Sequence, residues 1–89
     1  MPTTEDIRAT IKRLLVERLF LEGLDPKDIG DDVPIAVELG LDSMDFLELT
    51  VGLEQEFGLE IVGKGVDRDA YETVSSIAQL VESRLEAKA

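Results

Sequence analysis

The sequence predicts an all-α fold, a small four-helix bundle of three long helices and one short, with a long loop between helices one and two. Two observations carry that prediction. Apolar residues recur at helical spacing over three separate segments. The composition is 44% hydrophobic but only 4% aromatic, so the core must be packed with aliphatic side chains. At 89 residues the chain is too short for two separate cores, and residues 1–89 are expected to form a single domain.

The first helix is expected from about Thr4 to Leu21. Ile7, Ile11, Leu14, Leu15 and Leu19 fall on one stripe, while Arg8, Lys12, Arg13 and Arg18 occupy the other faces. Thr3 or Thr4 can cap it, Glu5 and Asp6 suit the positive end of the helix dipole, and Gly23 is the expected stop. The next long helix is expected from Asp42 or Ser43 to Phe57, with Gly58 as terminator. The last runs from about Val74 to Leu85, where Val74, Ile77, Ala78, Val81 and Leu85 share a face and Thr73 can cap.

Glu22 to Gly40 reads as a long loop, with Ile29, Val33, Ile35, Val37 and Leu39 available to anchor it on the core. Residues 62–73 form a second connection, broken by Gly63 and Gly65, with one short turn near Asp69 to Tyr71. Residues 33–37 and 59–62 are strand-like in composition. Both are short, one contains Pro34, and neither leads into a hairpin, so no sheet is expected.

Composition also limits function. The chain has no Cys and no His, which removes disulfides, a cysteine nucleophile, Cys/His zinc sites and a Ser-His-Asp triad. A net charge of −11 disfavours nucleic acid and anionic membrane surfaces as partners. The start, Met1 to Asp6, lacks the layout of a signal peptide, and no apolar run approaches the roughly 20 residues of a membrane span. A soluble, cytoplasmic protein that meets basic partners and has no catalytic residues of its own is expected.

The helix beginning near Ser43 carries two apolar stripes. Phe46, Leu49, Leu53 and Phe57 form a core face, while Met44, Leu47 and Val51 lie on an offset face. The second stripe either packs under the long loop or is an exposed patch for a partner. Ten acids and no Lys or Arg lie between Asp28 and Gly63. They are either a solvated face or a rim that steers a basic partner onto Met44, Leu47 and Val51. Asp42 and Ser43, at the helix start, are first of all capping residues. The alternative is that Ser43 carries a covalent group, since helix N-terminal N–H groups and the dipole favour an attached phosphodiester. With no base beside it, Ser43 would have to be modified by another enzyme.

The string Glu38-Leu39-Gly40-Leu41-Asp42-Ser43-Met44-Asp45-Phe46-Leu47-Glu48-Leu49, followed by Leu53-Glu54-Gln55-Glu56-Phe57-Gly58-Leu59-Glu60-Ile61, resembles the acyl carrier protein family. The resemblance is closest over the middle third, and the flanking helices fit the family layout. It implies that Ser43 accepts 4′-phosphopantetheine from coenzyme A through a Mg²⁺-dependent phosphopantetheinyl transferase, with Asp42 as the acid before it. The arm's thiol would then hold an acyl chain as a thioester. The resemblance also implies that Met44, Asp45, Leu47, Glu48, Val51 and Glu54 form the surface met by partners such as an acyltransferase, a ketosynthase or an acyl-ACP synthetase. It implies a non-catalytic, metal-free, monomeric carrier for fatty-acid or polyketide-type synthesis.

Two departures from the family pattern stand out: the first is a volume-conserving change that should be tolerated, and the second points toward a specialised pathway. Met44 stands where Leu is commonest, and Val62 to Tyr71 is slightly longer than usual, with Gly63-Lys64-Gly65 and Arg68 in a region often more acidic. Gly63-Lys64-Gly65 is not a phosphate loop, because no strand and no Gly-Lys-Ser/Thr context surround it. Two other functions are kept open: a carrier of aminoacyl, peptidyl or D-alanyl cargo, and an unmodified acidic interaction module.

Overall fold

The computed structural model describes residues 2–61 and 68–88. It consists of α1 (Thr4–Arg18), a 3-10 turn at Pro26–Asp28, α2 (Ile35–Leu39), α3 (Ser43–Phe57), a second 3-10 turn at Arg68–Tyr71 and α4 (Val74–Lys88). This is the all-α bundle expected, and no strand occurs among the described residues. The short turn expected near Asp69 to Tyr71 is present as the second 3-10 turn. The remaining short helix, α2, sits inside the segment expected to be plain loop. Residues 62–67, with the Gly63-Lys64-Gly65 segment and its proposed extra length, lie outside the described residues.

Each long helix starts where side chains satisfy its first backbone donors. Thr3 Oγ1 accepts the Asp6 N–H at 3.1 Å while the Thr3 N–H donates to Asp6 Oδ2 at 3.3 Å, a reciprocal capping box. Thr73 and Ser76 do the same for α4, each hydroxyl oxygen accepting the other's N–H at 3.0 Å. α4 runs to Lys88, three residues past the expected end.

The end of α1 differs from expectation. The helix stops at Arg18, not Leu21, and Gly23 is not its terminator. Phe20 takes the left-handed conformation, φ 53°, and the Leu21 N–H donates to the Val16 carbonyl at 3.1 Å. That six-to-one bond also closes α2 through Gly40 and α3 through Gly58, where Leu41 donates to Ala36 and Leu59 to Glu54. Two of the three sites have glycine at the left-handed position; Phe20 bears a steric cost of about 1–2 kcal/mol instead.

α1 packs against both α4 and α3. It contributes Ile7, Ile11, Leu14 and Leu15; α3 contributes Leu49 and Leu53; α4 contributes Val74, Ile77, Ala78 and Val81. Every fully buried apolar side chain among the described residues is aliphatic, and burying each Ile, Leu or Val contributes about 1.5–3 kcal/mol. Leu19, Leu85, Phe46, Phe57 and Tyr71 lie half-buried at the core's margin.

The connection from α1 to α3 is stitched down along its length. Ile29 and Ile35 are buried, and Val33 and Leu39 pack against the core. Val37 is not an anchor as expected: it is 78% exposed. With α2 helical, two residues span about 200° of rotation, so Val37 points away from Ile35. Asp31 fastens the loop on two sides. Its carbonyl accepts the Ser75 N–H at 2.9 Å, and its carboxylate lies 2.6 Å from Lys12 Nζ and 3.6 Å from Arg8 Nη1. The hydrogen bond from Lys12, aided by the Lys12 and Arg8 charges and opposed by partial burial, holds the Asp31 carboxyl below the ordinary carboxylate range.

Candidate functional site

The turn between α2 and α3 presents Ser43 as the first residue of α3. Gly40 turns the chain, and Asp42 takes an extended conformation as N-cap. Asp42 Oδ1 accepts the Asp45 N–H at 3.0 Å, and the Asp42 N–H donates to Asp45 Oδ2 at 3.0 Å. The two carboxylates complete the capping box by themselves. Ser43 is exposed, and its hydroxyl has no hydrogen-bond partner among the described residues. Capping and a free hydroxyl therefore fall on adjacent residues: Asp42 holds the helix end and Ser43 Oγ is left available.

Ser43 borders a cleft of about 320 Å³ lined by Ala36 from α2, Phe46 from the next turn of α3, and Tyr71 from the second 3-10 turn. The Tyr71 ring stands edge-on to Phe46, 5.8 Å between centroids at 64°. Its hydroxyl lies 2.7 Å from Thr50 Oγ1, and Thr50 Oγ1 donates to the Phe46 carbonyl at 2.9 Å. Burial pushes the Tyr71 hydroxyl pKa up, against a smaller downward effect of the Thr50 hydrogen bond.

The two stripes of α3 separate as the spacing requires. Leu49 and Leu53 are fully buried, with Phe46 and Phe57 half-buried beside them. On the offset stripe Met44 is 71% and Leu47 50% exposed, while Val51 is half-buried. With Val37 of α2 these residues leave exposed apolar surface near Ser43 in the sequence, so the long loop does not cover the stripe.

The acids of α3 have more occupations than a bare rim. Arg18 Nη1 lies 2.7 Å from Glu48 Oε1 and its other terminal nitrogen reaches Gln55. Arg13 pairs with Glu56. Glu54 is half-buried, and its Oε2 accepts the Ile61 N–H at 2.7 Å, holding the chain that leaves α3. Asp45 is half-buried in the capping box. α1 thus supplies cations that partly neutralise the acidic face of α3. Sequence reading placed Arg13 and Arg18 on a separate face of α1 but had no signal for their reach across the bundle. Nor did any local pattern mark Ala36 or Tyr71 as cleft residues. Among the described residues, no group of acids is arranged to hold a metal ion, and no helix is long and apolar enough to cross a membrane.

Comparison with known proteins gives the same class as this geometry. The family described as "Phosphopantetheine attachment site" matches residues 9–82, most of the chain. The chain is 33% identical to the acyl carrier protein of Bdellovibrio bacteriovorus over 78 residues, covering 88% of this chain and 94% of that protein. It is 28% identical to the acyl carrier protein of Thermotoga maritima over 85 residues, covering 96% and 99%. The chain belongs to the acyl carrier protein family. Its members are carriers, not enzymes; their cofactor is phosphopantetheine, and they work with a phosphopantetheinyl transferase and acyl-processing enzymes.

Proposed function

We propose that Ser43 bears 4′-phosphopantetheine and that the chain, one domain over residues 1–89, carries acyl intermediates as thioesters for fatty-acid or polyketide-type synthesis in the cytoplasm. The observation that supports this most is the division of labour at the start of α3: Asp42 and Asp45 satisfy the helix end, leaving the Ser43 hydroxyl exposed and with no hydrogen-bond partner among the described residues. The residues present fit the arm. Its phosphodiester would sit at the positive end of a 15-residue helix, and its pantetheine would start beside the Ala36, Phe46 and Tyr71 cleft. In loading, Ser43 Oγ loses its proton and forms the new bond to phosphorus, and the adenine nucleotide of coenzyme A leaves. The base for that step comes from the transferase, since this chain has no His and no Lys or Arg between Asp28 and Gly63.

Met44, Leu47 and Val51 with Asp45, Glu48 and Glu54 are the proposed partner surface, Asp42 the acid beside the attachment serine. Exposed Met44 and Leu47 supply the apolar contact and the acids steer a basic enzyme onto it. Association with the transferase should weaken as salt screens charges beyond roughly 8–10 Å. Loading separates the cargoes: an acyl-ACP synthetase should charge the holo protein, and adenylation enzymes for amino acids or D-alanine should not. The reverse result would move the chain to an aminoacyl carrier. If Ser43→Ala retained full biological function, an unmodified interaction module would be left instead.

A further inference from the structure

Every acid on α3 already has a partner within the chain. Asp45 accepts the Asp42 N–H and Glu54 the Ile61 N–H, so both are committed to backbone donors. Glu48 and Glu56 are paired instead with guanidinium groups of α1, those of Arg18 and Arg13. Glu48 lies one turn beyond Met44 and next to Leu47, the exposed apolar residues of the offset stripe, whereas Glu56 lies two further turns along. Arg18 bridges Glu48 and Gln55, and its stem lies over Gly52 between them. A positive charge from α1 is thus held against the acid nearest Met44 and Leu47.

We propose that Arg18 is an internal competitor for the basic enzymes that dock on α3: it occupies Glu48 in the free chain, and a partner's Arg or Lys reaches that carboxylate only against it. A cation arriving at Glu48 meets an oxygen already 2.7 Å from Arg18 Nη1 and a like charge beside it. The Arg18 and Glu48 side chains are 29% and 48% exposed, so their pair is solvated, weak and exchangeable. Drawing Asp45 or Glu54 away would instead leave a backbone N–H without its partner. The inference rests on the proposed partner surface and adds to it a specificity-determining residue on a different helix. A partner held through Met44 and Leu47 alone is indifferent to Arg18, so the residue shifts preference away from partners that rely on charge at Glu48.

The test measures binding of the apo chain to a broad-specificity phosphopantetheinyl transferase by calorimetry at low salt. It uses the wild type, Arg18→Ala, Glu48→Gln and the double variant. Lys27→Ala is the charge control: it also removes one positive charge, but from the exposed first 3-10 turn. Arg18→Ala should tighten binding about two- to five-fold, the worth of one exposed ion pair, and Lys27→Ala should do so much less. Glu48→Gln should bind more weakly than the wild type, and in that background Arg18→Ala should bring no gain. A merely structural Arg18 would give unchanged or weaker binding on truncation. Such a result, an equal gain from Lys27→Ala, or a gain that persists with Glu48→Gln overturns the proposal and leaves Ser43 as carrier. A wild type that is neither bound nor loaded by the transferase overturns the carrier role, and this inference with it.

Discussion

Arg18 of α1 reaches across the bundle to Glu48 of α3, 2.7 Å from guanidinium nitrogen to carboxylate oxygen, and its stem lies over Gly52. A Cβ built at position 52 would stand 2.6 Å from Arg18 Cδ, so any side chain there makes the arginine stem shift from this position.

Gly52→Ala should therefore push Arg18 aside. The helix gains about 1 kcal/mol from replacing glycine, and a partly exposed ion pair worth about 0.2–1 kcal/mol is lost. Urea denaturation should show a small net change for Gly52→Ala alone and a gain of about 1 kcal/mol when it is made in an Arg18→Ala background. Equal gains in the two backgrounds would show that the crossing has no energetic consequence.

Asp42 and Ser43 should respond differently to truncation. Asp42→Ala removes the acceptor for the Asp45 N–H and should cost about 1 kcal/mol. Ser43→Ala removes a hydroxyl that bonds to nothing among the described residues and should leave the melting temperature within error. A Ser43→Ala loss as large as that of Asp42→Ala would make the serine a structural cap.

Phe20 predicts a stabilising change. It is 84% exposed and left-handed, so little packing is lost when the ring is removed. Phe20→Gly should raise stability by up to about 1 kcal/mol, and Phe20→Val should lower it, because β-branching is least tolerated at positive φ. Thermal unfolding of the two variants measures both.

The helices and their caps were legible because they depend on local chemistry. Thr3, Asp42 and Gly58 sit where side-chain capping and left-handed backbone require them, and the aliphatic stripes mark the buried faces. The stop of α1 was not legible, since a glycine three residues beyond Phe20 offered the better local terminator. α2 was hidden because five residues beginning just after Pro34 carry too short a pattern to distinguish from anchored loop. At the site, Ser43 and the exposed Met44 and Leu47 could be read from spacing. Tyr71, the Arg18–Glu48 pair and the internal bond of Glu54 could not, because each joins segments that only tertiary packing brings together.

Asp31 gives a pH dependence. Its folded-state pKa is lowered by the Lys12 hydrogen bond and the nearby Lys12 and Arg8 charges. Its contribution is therefore fully present above the ordinary carboxyl value of 3.8 and is lost as pH falls through the lower folded value. Asp31→Asn should cost about 1 kcal/mol at neutral pH, and the difference from wild type should shrink as pH falls below that value. A constant difference down the acid limb would mean that Asp31 acts only through its backbone bond to Ser75.

The attachment of the arm is tested most directly by mass spectrometry after incubation with coenzyme A, Mg²⁺ and a broad-specificity phosphopantetheinyl transferase. The wild type should gain one phosphopantetheine, mapped to the peptide containing Ser43, and a folded Ser43→Ala should gain none. An adduct on another residue, or an unmodified wild type beside a control carrier that is fully converted, would contradict the account.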